Sequence, residues 1–175
     1  QTKVQNSEGV VYGIGAGQDV RASIGSSVAG QEVLALARLS TADPAGGGYD
    51  VRVVARAQTD ARRGYVARVG HTSAGAATWA LALVKNTNGS GGVVTLGSGT
   101  LTSSGAAGSA WWIRLRALGT AISVKFWRDG TAEPAAWTRT ATDGTFSTGA
   151  VSLGVAGSGT LTRAVADVGF GSFEA

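Results

Sequence analysis

The sequence predicts an all-β protein, a sandwich or a barrel of short antiparallel strands. Three observations carry the prediction. Apolar and polar residues alternate with period two along most of the chain, turn-forming residues interrupt the alternation at short intervals, and no segment holds a convincing helical period. Period two marks a strand because successive side chains point to opposite faces of a sheet. Many short strands with regular punctuation mark a sandwich or a barrel.

In chain order, Val20, Ala22 and Ile24 alternate with Asp19, Arg21 and Ser23. Tyr49, Val51 and Val53 alternate with Asp50 and Arg52, and Tyr65, Ala67 and Val69 with Val66 and Arg68. Trp79, Leu81 and Leu83 lead up to Lys85. Ile113, Leu115 and Ala117 alternate with Arg114 and Arg116, then Ile122, Val124 and Phe126 with Ser123 and Lys125. Val151, Leu153 and Val155 alternate with small residues, and Ala166, Val168 and Phe170 close the series. Between these runs lie Ala45 to Gly48, Asn86 to Gly92, Ser103 to Gly108, Gly119-Thr120, Asp129-Gly130 and Asp143-Gly144. Glu32 to Leu39 contains good helix formers, but it is too short and too apolar for a surface helix and reads as a strand buried on both faces. Ser98 to Thr102 repeats as Ser158 to Thr162, a coincidence in a chain this rich in Gly, Ser and Thr.

One hairpin can be registered from the sequence. Leu118-Gly119-Thr120-Ala121 reads as a two-residue turn with Gly at its first central position. That sets Ala117 opposite Ile122, Leu115 opposite Val124 and Ile113 opposite Phe126, all apolar and all on one face. The other face then pairs Arg116 with Ser123, Arg114 with Lys125 and Trp112 with Trp127. A slip by one residue would destroy this agreement. The like charges of Arg114 and Lys125 call for solvent or for an acid between them, and Glu133 is at hand.

The 175 residues suit one β-sandwich domain spanning 1–175, and a domain of that size needs no covalent staple. The chain contains no Cys, so it can form neither a disulfide nor a cysteine metal site. It contains no Met and starts at Gln1, so it reads as a piece of a longer chain. Charged residues are sparse at 15%, against roughly 25% in average domains. The net charge of +4 is too small and too scattered to predict a nucleic-acid partner. No apolar run approaches the ~18 residues a membrane span needs.

The stretch from Trp111 to Trp137 reads Trp-Trp-Ile-Arg-Leu-Arg, then a Gly-Thr turn, then Val-Lys-Phe-Trp, then Gly-Thr-Ala-Glu-Pro-Ala-Ala-Trp. It resembles the concanavalin A-like (laminin-G-like) jelly-roll domains of actinobacterial secreted proteins and of actinobacteriophage tail and minor structural proteins. Val165 to Phe173 resembles the last strand of that family, and Gly64 to Val69 a middle strand. The likeness runs from about Asp19 to Ala175; the family carries more chain at its start. It implies an all-β, two-sheet antiparallel jelly-roll sandwich with one concave sheet. Such a fold hosts enzymes, lectins and structural modules alike.

The residues favour a module without catalysis. A glycosidase needs two carboxylates roughly 5 to 9.5 Å apart, and no strand carries such a pair; Asp167 and Glu174 lie too far apart along theirs. The one histidine, His71, reads as a loop residue just after a strand. Jelly-roll lyases would need His with Arg, Gln and Tyr on one sheet. No serine elbow or phosphate loop is present. Asp43, Asp129 and Asp143 sit in expected turns and read as turn chemistry rather than as a calcium cage. No metal and no cofactor is expected.

The sharpest ligand candidates are Trp112 and Trp127, whose flat faces could stack on sugar rings, flanked by Arg114, Arg116 and Lys125. The competing reading is a cross-strand packing pair covered by Glu133 to Trp137. With the family resemblance, these residues point to a binding or structural module of a phage virion, tail-associated or surface-exposed. Its expected partners are glycan of a Gram-positive cell surface and other virion or fibre subunits, with no nucleic acid and no membrane. The expected location is the virion or the extracellular space. The alternatives are a purely structural decoration or fibre subunit, and a carbohydrate-binding module of a secreted enzyme.

Overall fold

A computed structural model describes residues 2–5, 8–11, 14–38, 48–71, 78–88, 92–102, 109–157 and 168–174. Side chains are described for 14–38, 48–70, 80–88, 92–99 and 109–157. Among these residues there is no helix. The strands are β1 (Thr2–Gln5), β2 (Glu8–Val11), β3 (Asp19–Val28), β4 (Gln31–Arg38), β5 (Tyr49–Ala57), β6 (Gly64–His71) and β7 (Thr78–Asn86). They continue as β8 (Val93–Thr102), β9 (Ala110–Leu118), β10 (Ala121–Arg128), β11 (Arg139–Thr142), β12 (Gly149–Gly157) and β13 (Val168–Glu174).

Two antiparallel sheets result. One runs β1-β2-β13-β4-β9-β10-β11 and the other β3-β12-β5-β6-β7-β8. The last strands of the chain thus insert beside the first in both sheets, the long-range pairing that makes the sandwich a jelly roll. The alternation read from the sequence sets the core. Val33, Ala35 and Ala37 of β4, and Ile113, Leu115 and Ala117 of β9, are fully buried from one side. Val51, Val53, Tyr65, Ala67, Val69 and Leu83 meet them from the other.

The expected β9–β10 hairpin has the register that the sequence assigned, from Ala121 opposite Leu118 to Arg128 opposite Trp111. Gly119 has a φ of 56° while Thr120 does not enter the left-handed region. That is the geometry of a turn with glycine at its first central position. Two other expectations need correction. β4 is a strand, but its second face is not buried: Glu32 is exposed, and Leu34 and Leu36 are half-buried. The core takes only one of its faces because the sheet lies between core and solvent. His71 is the last residue of β6, paired with Tyr49 and Trp79, rather than a loop residue beyond it. Its side chain lies outside the described residues, as do Asp43, Asp167, the side chain of Glu174 and the second Ser-Gly-Thr-Leu-Thr.

Two arginines close the sandwich. A bulge in the β5–β12 pairing and a left-handed φ of 52° turn Arg56 from the face its sequence position implies. Its side chain is only 2% exposed. It donates to the carbonyls of Ala29 (2.9 Å), Gly119 (2.8 Å) and Phe146 (2.7 Å), so one guanidinium ties the connections that follow β3, β9 and β11. A buried cation without a carboxylate is tolerable only when its donors are satisfied in this way. At the side edge, Arg139 of β11 donates to the Ser98 carbonyl of β8 at 2.9 Å. It lies flat over Gly97 and Gly99, and a Cβ at Gly99 would collide with its Nη2.

Candidate ligand-binding face

The face that holds the five candidate residues is the outer side of β9 and β10. Alternation puts Trp112, Arg114 and Arg116 there from β9, and Ser123, Lys125 and Trp127 from β10. β4 lies beside β9 and adds Glu32 opposite Arg116, Leu34 opposite Arg114 and Leu36 opposite Trp112. The chain then leaves β10 through a turn at Asp129-Gly130, with Gly130 at a φ of 82°. It returns at Thr138, whose amide donates to the Val124 carbonyl at 2.9 Å. Residues 129–138 therefore fold back along the face rather than away from it.

This connection engages the face group by group. Glu133 accepts from Arg114 Nη2 and from Lys125 Nζ, both at 2.9 Å. The acid expected between the two cations is thus in place. Arg114 Nη1 also donates to Glu32 at 2.6 Å. Trp137 lies over Arg116, with Cζ 4.4 Å from the ring centroid, and over Lys125, with Nζ at 5.0 Å. Trp112 and Trp127 stack with centroids 6.1 Å apart and planes 16° apart. The Trp112 indole donates to Asp129 at 2.9 Å.

The electrostatics follow from these contacts. Lys125 foremost, then Arg114, hold the Glu133 carboxyl below its usual range against the opposing effect of burial. Burial opposes the charge on Arg114, yet Glu133 and Glu32 outweigh it and its pKa is raised. The side chains of Arg114, Lys125 and Glu133 remain 24%, 12% and 33% exposed. Trp127 is 9% exposed and Trp112 is half-buried. All five candidates therefore share one face. Arg114 and Lys125 are ion-paired and Trp127 is packed, while Trp112, Arg116 and the roofing Trp137 keep some accessible surface.

Glu32 and Asp129 belong to this arrangement and were not among the candidates. Asp129 stands two residues past Trp127 in the turn, a spacing that could have suggested the indole bond. Glu32 is 82 residues from Arg114, and only the non-local pairing of β4 with β9 brings it there. A second polar knot lies at the Arg56 end. Asp143 accepts from Lys85 Nζ at 2.5 Å, Tyr65 Oη at 2.8 Å and the Thr145 amide at 2.8 Å. The last bond is the turn chemistry expected of this aspartate. Burial opposes its charge, but Lys85 and the Thr145 and Tyr65 donors prevail and the carboxyl titrates far below its usual range. Among the described residues no group of three His, Cys, Asp or Glu side chains could hold a metal ion.

No protein-family model and no curated protein sequence matches the chain. Solved structures do. Carbohydrate binding module CBM66 from Bacillus subtilis matches with a TM-score of 0.63 and 18% identity, over 91% of this chain and 83% of that one. The CBM2 module of Lactobacillus casei BL23 phage J-1 evolved Dit matches with a TM-score of 0.62 and 12% identity, over 97% and 78%. A legume lectin-like domain from Entamoeba histolytica matches at 0.59 and 9%, over 99% and 85%. At such identities these are likenesses of fold. With the two antiparallel sheets they define the chain as a concanavalin A-like jelly-roll sandwich.

Proposed function

We propose that the chain is a non-catalytic glycan-binding module, carried by a phage virion in a tail-associated or surface-exposed position, that contacts glycan of a Gram-positive cell. The observation that carries this reading is the shared fold with a carbohydrate-binding module and with a module of a phage Dit, across most of each chain. On this reading Trp112 offers the stacking surface, and Arg116 with Trp137 over it lies farther along the same face, beyond Arg114. Arg114, Lys125 and Trp127 hold that surface in place. A glycosidase acid needs a raised pKa; Asp60, Glu133 and Asp143 lie below their ordinary values and do not fit that role.

The test is retention of the labelled chain on purified Gram-positive cell walls and on a polysaccharide panel, with Trp112→Ala beside it. The expected result is retention that Trp112→Ala weakens several-fold while its melting midpoint falls by no more than about 5 °C. A chain retained by no wall and no polysaccharide would overturn the reading. It would favour the alternative of a purely structural virion or fibre subunit, for which the ion-paired, roofed face already speaks.

A further inference from the structure

The opposite surface of the sandwich, the outer side of the six-stranded sheet, carries a different array. Two cross-strand rows run over β3, β12, β5 and β6. One is Asp19–Ala156–Asp50–Gly70, and the next is Arg21–Gly154–Arg52–Arg68. The β5–β6 loop folds back over this side. The Ala61 carbonyl accepts from Arg21 Nη1 at 3.0 Å, and Arg62 Nε comes within 3.8 Å of Asp19. Among the described residues the cluster thus holds four arginines and two aspartates, an excess of two positive charges in a chain whose net formal charge is +4.

The aspartates do not saturate the guanidinium groups. Asp19 takes a two-pronged bond from Arg21 at 2.7 and 2.8 Å. Asp50 accepts from Arg52 Nη2 at 2.9 Å. Beyond these bonds the carboxylates lie 3.6 Å from Arg52 Nη1, 3.5 Å from Arg68 Nη1 and 3.8 Å from Arg62 Nε. Those separations exceed the ~2.7–2.9 Å of a charge-assisted hydrogen bond. Arg52 Nε, like Arg114 Nε on the opposite face, is shielded from solvent and has no hydrogen-bond partner among the described residues. The side chains of Arg68 and Arg62 are 35% and 46% exposed. Asp50 leans over Gly70 and Arg21 over Gly154, in each case where a Cβ would clash.

We propose that this surface is a second binding site, separate from the tryptophan face, that takes the oxyanions of an acidic polysaccharide. Guanidinium forks match carboxylate and phosphate oxygens in geometry as well as charge. Arg52 and Arg68 stand on adjacent strands, about 4.8 Å apart, with Asp50 bonded to the first and 3.5 Å from the second; a ligand oxyanion would add from the solvent side, to the exposed Arg68 and to Arg62 from the loop. The interspersed aspartates accept hydrogen bonds from sugar hydroxyls. No described aromatic side chain in these rows offers the bases of a nucleic acid a stacking partner. That the polymer is a glycan rests on the function proposed above; the oxyanion site does not.

The experiment is a binding titration at low and high salt. The ligands are polygalacturonate, which carries uronate carboxylates, wall teichoic acid, which carries phosphodiesters, neutral dextran and a single-stranded oligonucleotide. The proteins are the unaltered chain, Arg62→Gln, the double variant Arg62→Gln/Arg68→Gln, and Trp112→Ala. The expected result is salt-sensitive binding of at least one acidic polysaccharide and none of dextran at this site. The double variant should lose about tenfold in the salt-sensitive part of the binding, and Trp112→Ala should keep that part. Which acidic polymer binds separates uronate from phosphodiester. Melting curves report folding, and Arg62→Gln, on an exposed loop position, keeps the test valid if the double variant is unstable. Failure of both acidic polymers to bind, unchanged affinity in the arginine variants, or a preference for the oligonucleotide would each overturn the proposal. Loss of cell-wall retention in Trp112→Ala alone leaves the proposed function standing and removes this second site. Acidic-polymer binding through the arginines without any wall retention does the reverse.

Discussion

The two outer faces of the sandwich treat their charges differently. On the β9–β10 face, Arg114 and Lys125 share Glu133, Arg114 also reaches Glu32, and the connection of residues 129–138 roofs the pair. On the β5–β6 face, four arginines share two aspartates, and several of the distances are those of attraction rather than of hydrogen bonds. The first face bonds Arg114 and Lys125 to acids at hydrogen-bond length and gains packing from stacked tryptophans. The second holds Arg62 and Arg68 only at ion-pair distance, while each face buries one guanidinium Nε without a partner, that of Arg114 on the first and of Arg52 on the second. Basic residues on a strand therefore do not announce a ligand; what matters is how closely the fold brings acids or rings to them.

Mutations can break or sharpen this contrast. The largest effect is expected from Trp127→Ala on the roofed face. Trp127 is 9% exposed and stacked on Trp112, so its truncation should cost roughly 3 to 5 kcal/mol, read as a lower midpoint in denaturant unfolding. Trp112→Ala on the same face removes a half-buried ring and should cost closer to the ~0.5–1.5 kcal/mol of an aromatic pair. Equal losses in the two variants would show that the ring pair is not divided into one packed and one accessible member.

Glu133→Gln comes next. It leaves Arg114 facing Lys125 without a carboxylate, and with these groups partly in solvent the loss should be about 1 kcal/mol at low salt and less at high salt. The pH dependence has a definite sign. The folded pKa of Glu133 lies below its unfolded value near 4.5, so as the pH falls the unfolded chain takes up the proton first. Its contribution is complete above that value and is lost as the pH drops towards and through the folded pKa. Asp143, lowered more strongly by its Lys85, Thr145 and Tyr65 donors against burial, acts in the same direction from about 3.8 downward. Acid unfolding curves should therefore flatten in Glu133→Gln and more so in Asp143→Asn; an unaltered acid limb in both would refute the assignment.

The smallest effect on stability is expected from Arg68→Gln on the open face, within about 0.5 kcal/mol. A loss as large as that of Trp127→Ala would mean that the arginine cluster holds the sheet together. The face would then be structural on both sides of the sandwich.

The hairpin of β9 and β10 was legible because its information is local. One turn glycine and two alternating runs leave a single register in which every inward pair is apolar, and the Arg114–Lys125 pair names its own remedy in Glu133 a few residues on. The five candidate residues were placed on one face for the same reason. What that face does was not legible, since the folding back of residues 129–138 depends on contacts with β10 and on Trp137 settling over Arg116 and Lys125.

Alternation and turn residues thus determined an all-β chain of antiparallel strands, because the pleat forces period two on any strand with one dry face. Beyond the β9–β10 hairpin, which strands became neighbours was decided by the tertiary structure alone. β4 beside β9 delivers Glu32 to Arg114, and β12 between β3 and β5 sets Arg21 and Arg52 in one row across Gly154. Arg56 is the sharpest case. Its place in the alternation puts it outward with Arg52, yet a bulge and a left-handed φ turn it inward to three carbonyls from distant turns. A local pattern cannot encode that, because the carbonyls that make the burial of its charge tolerable exist only once the sandwich has closed around it.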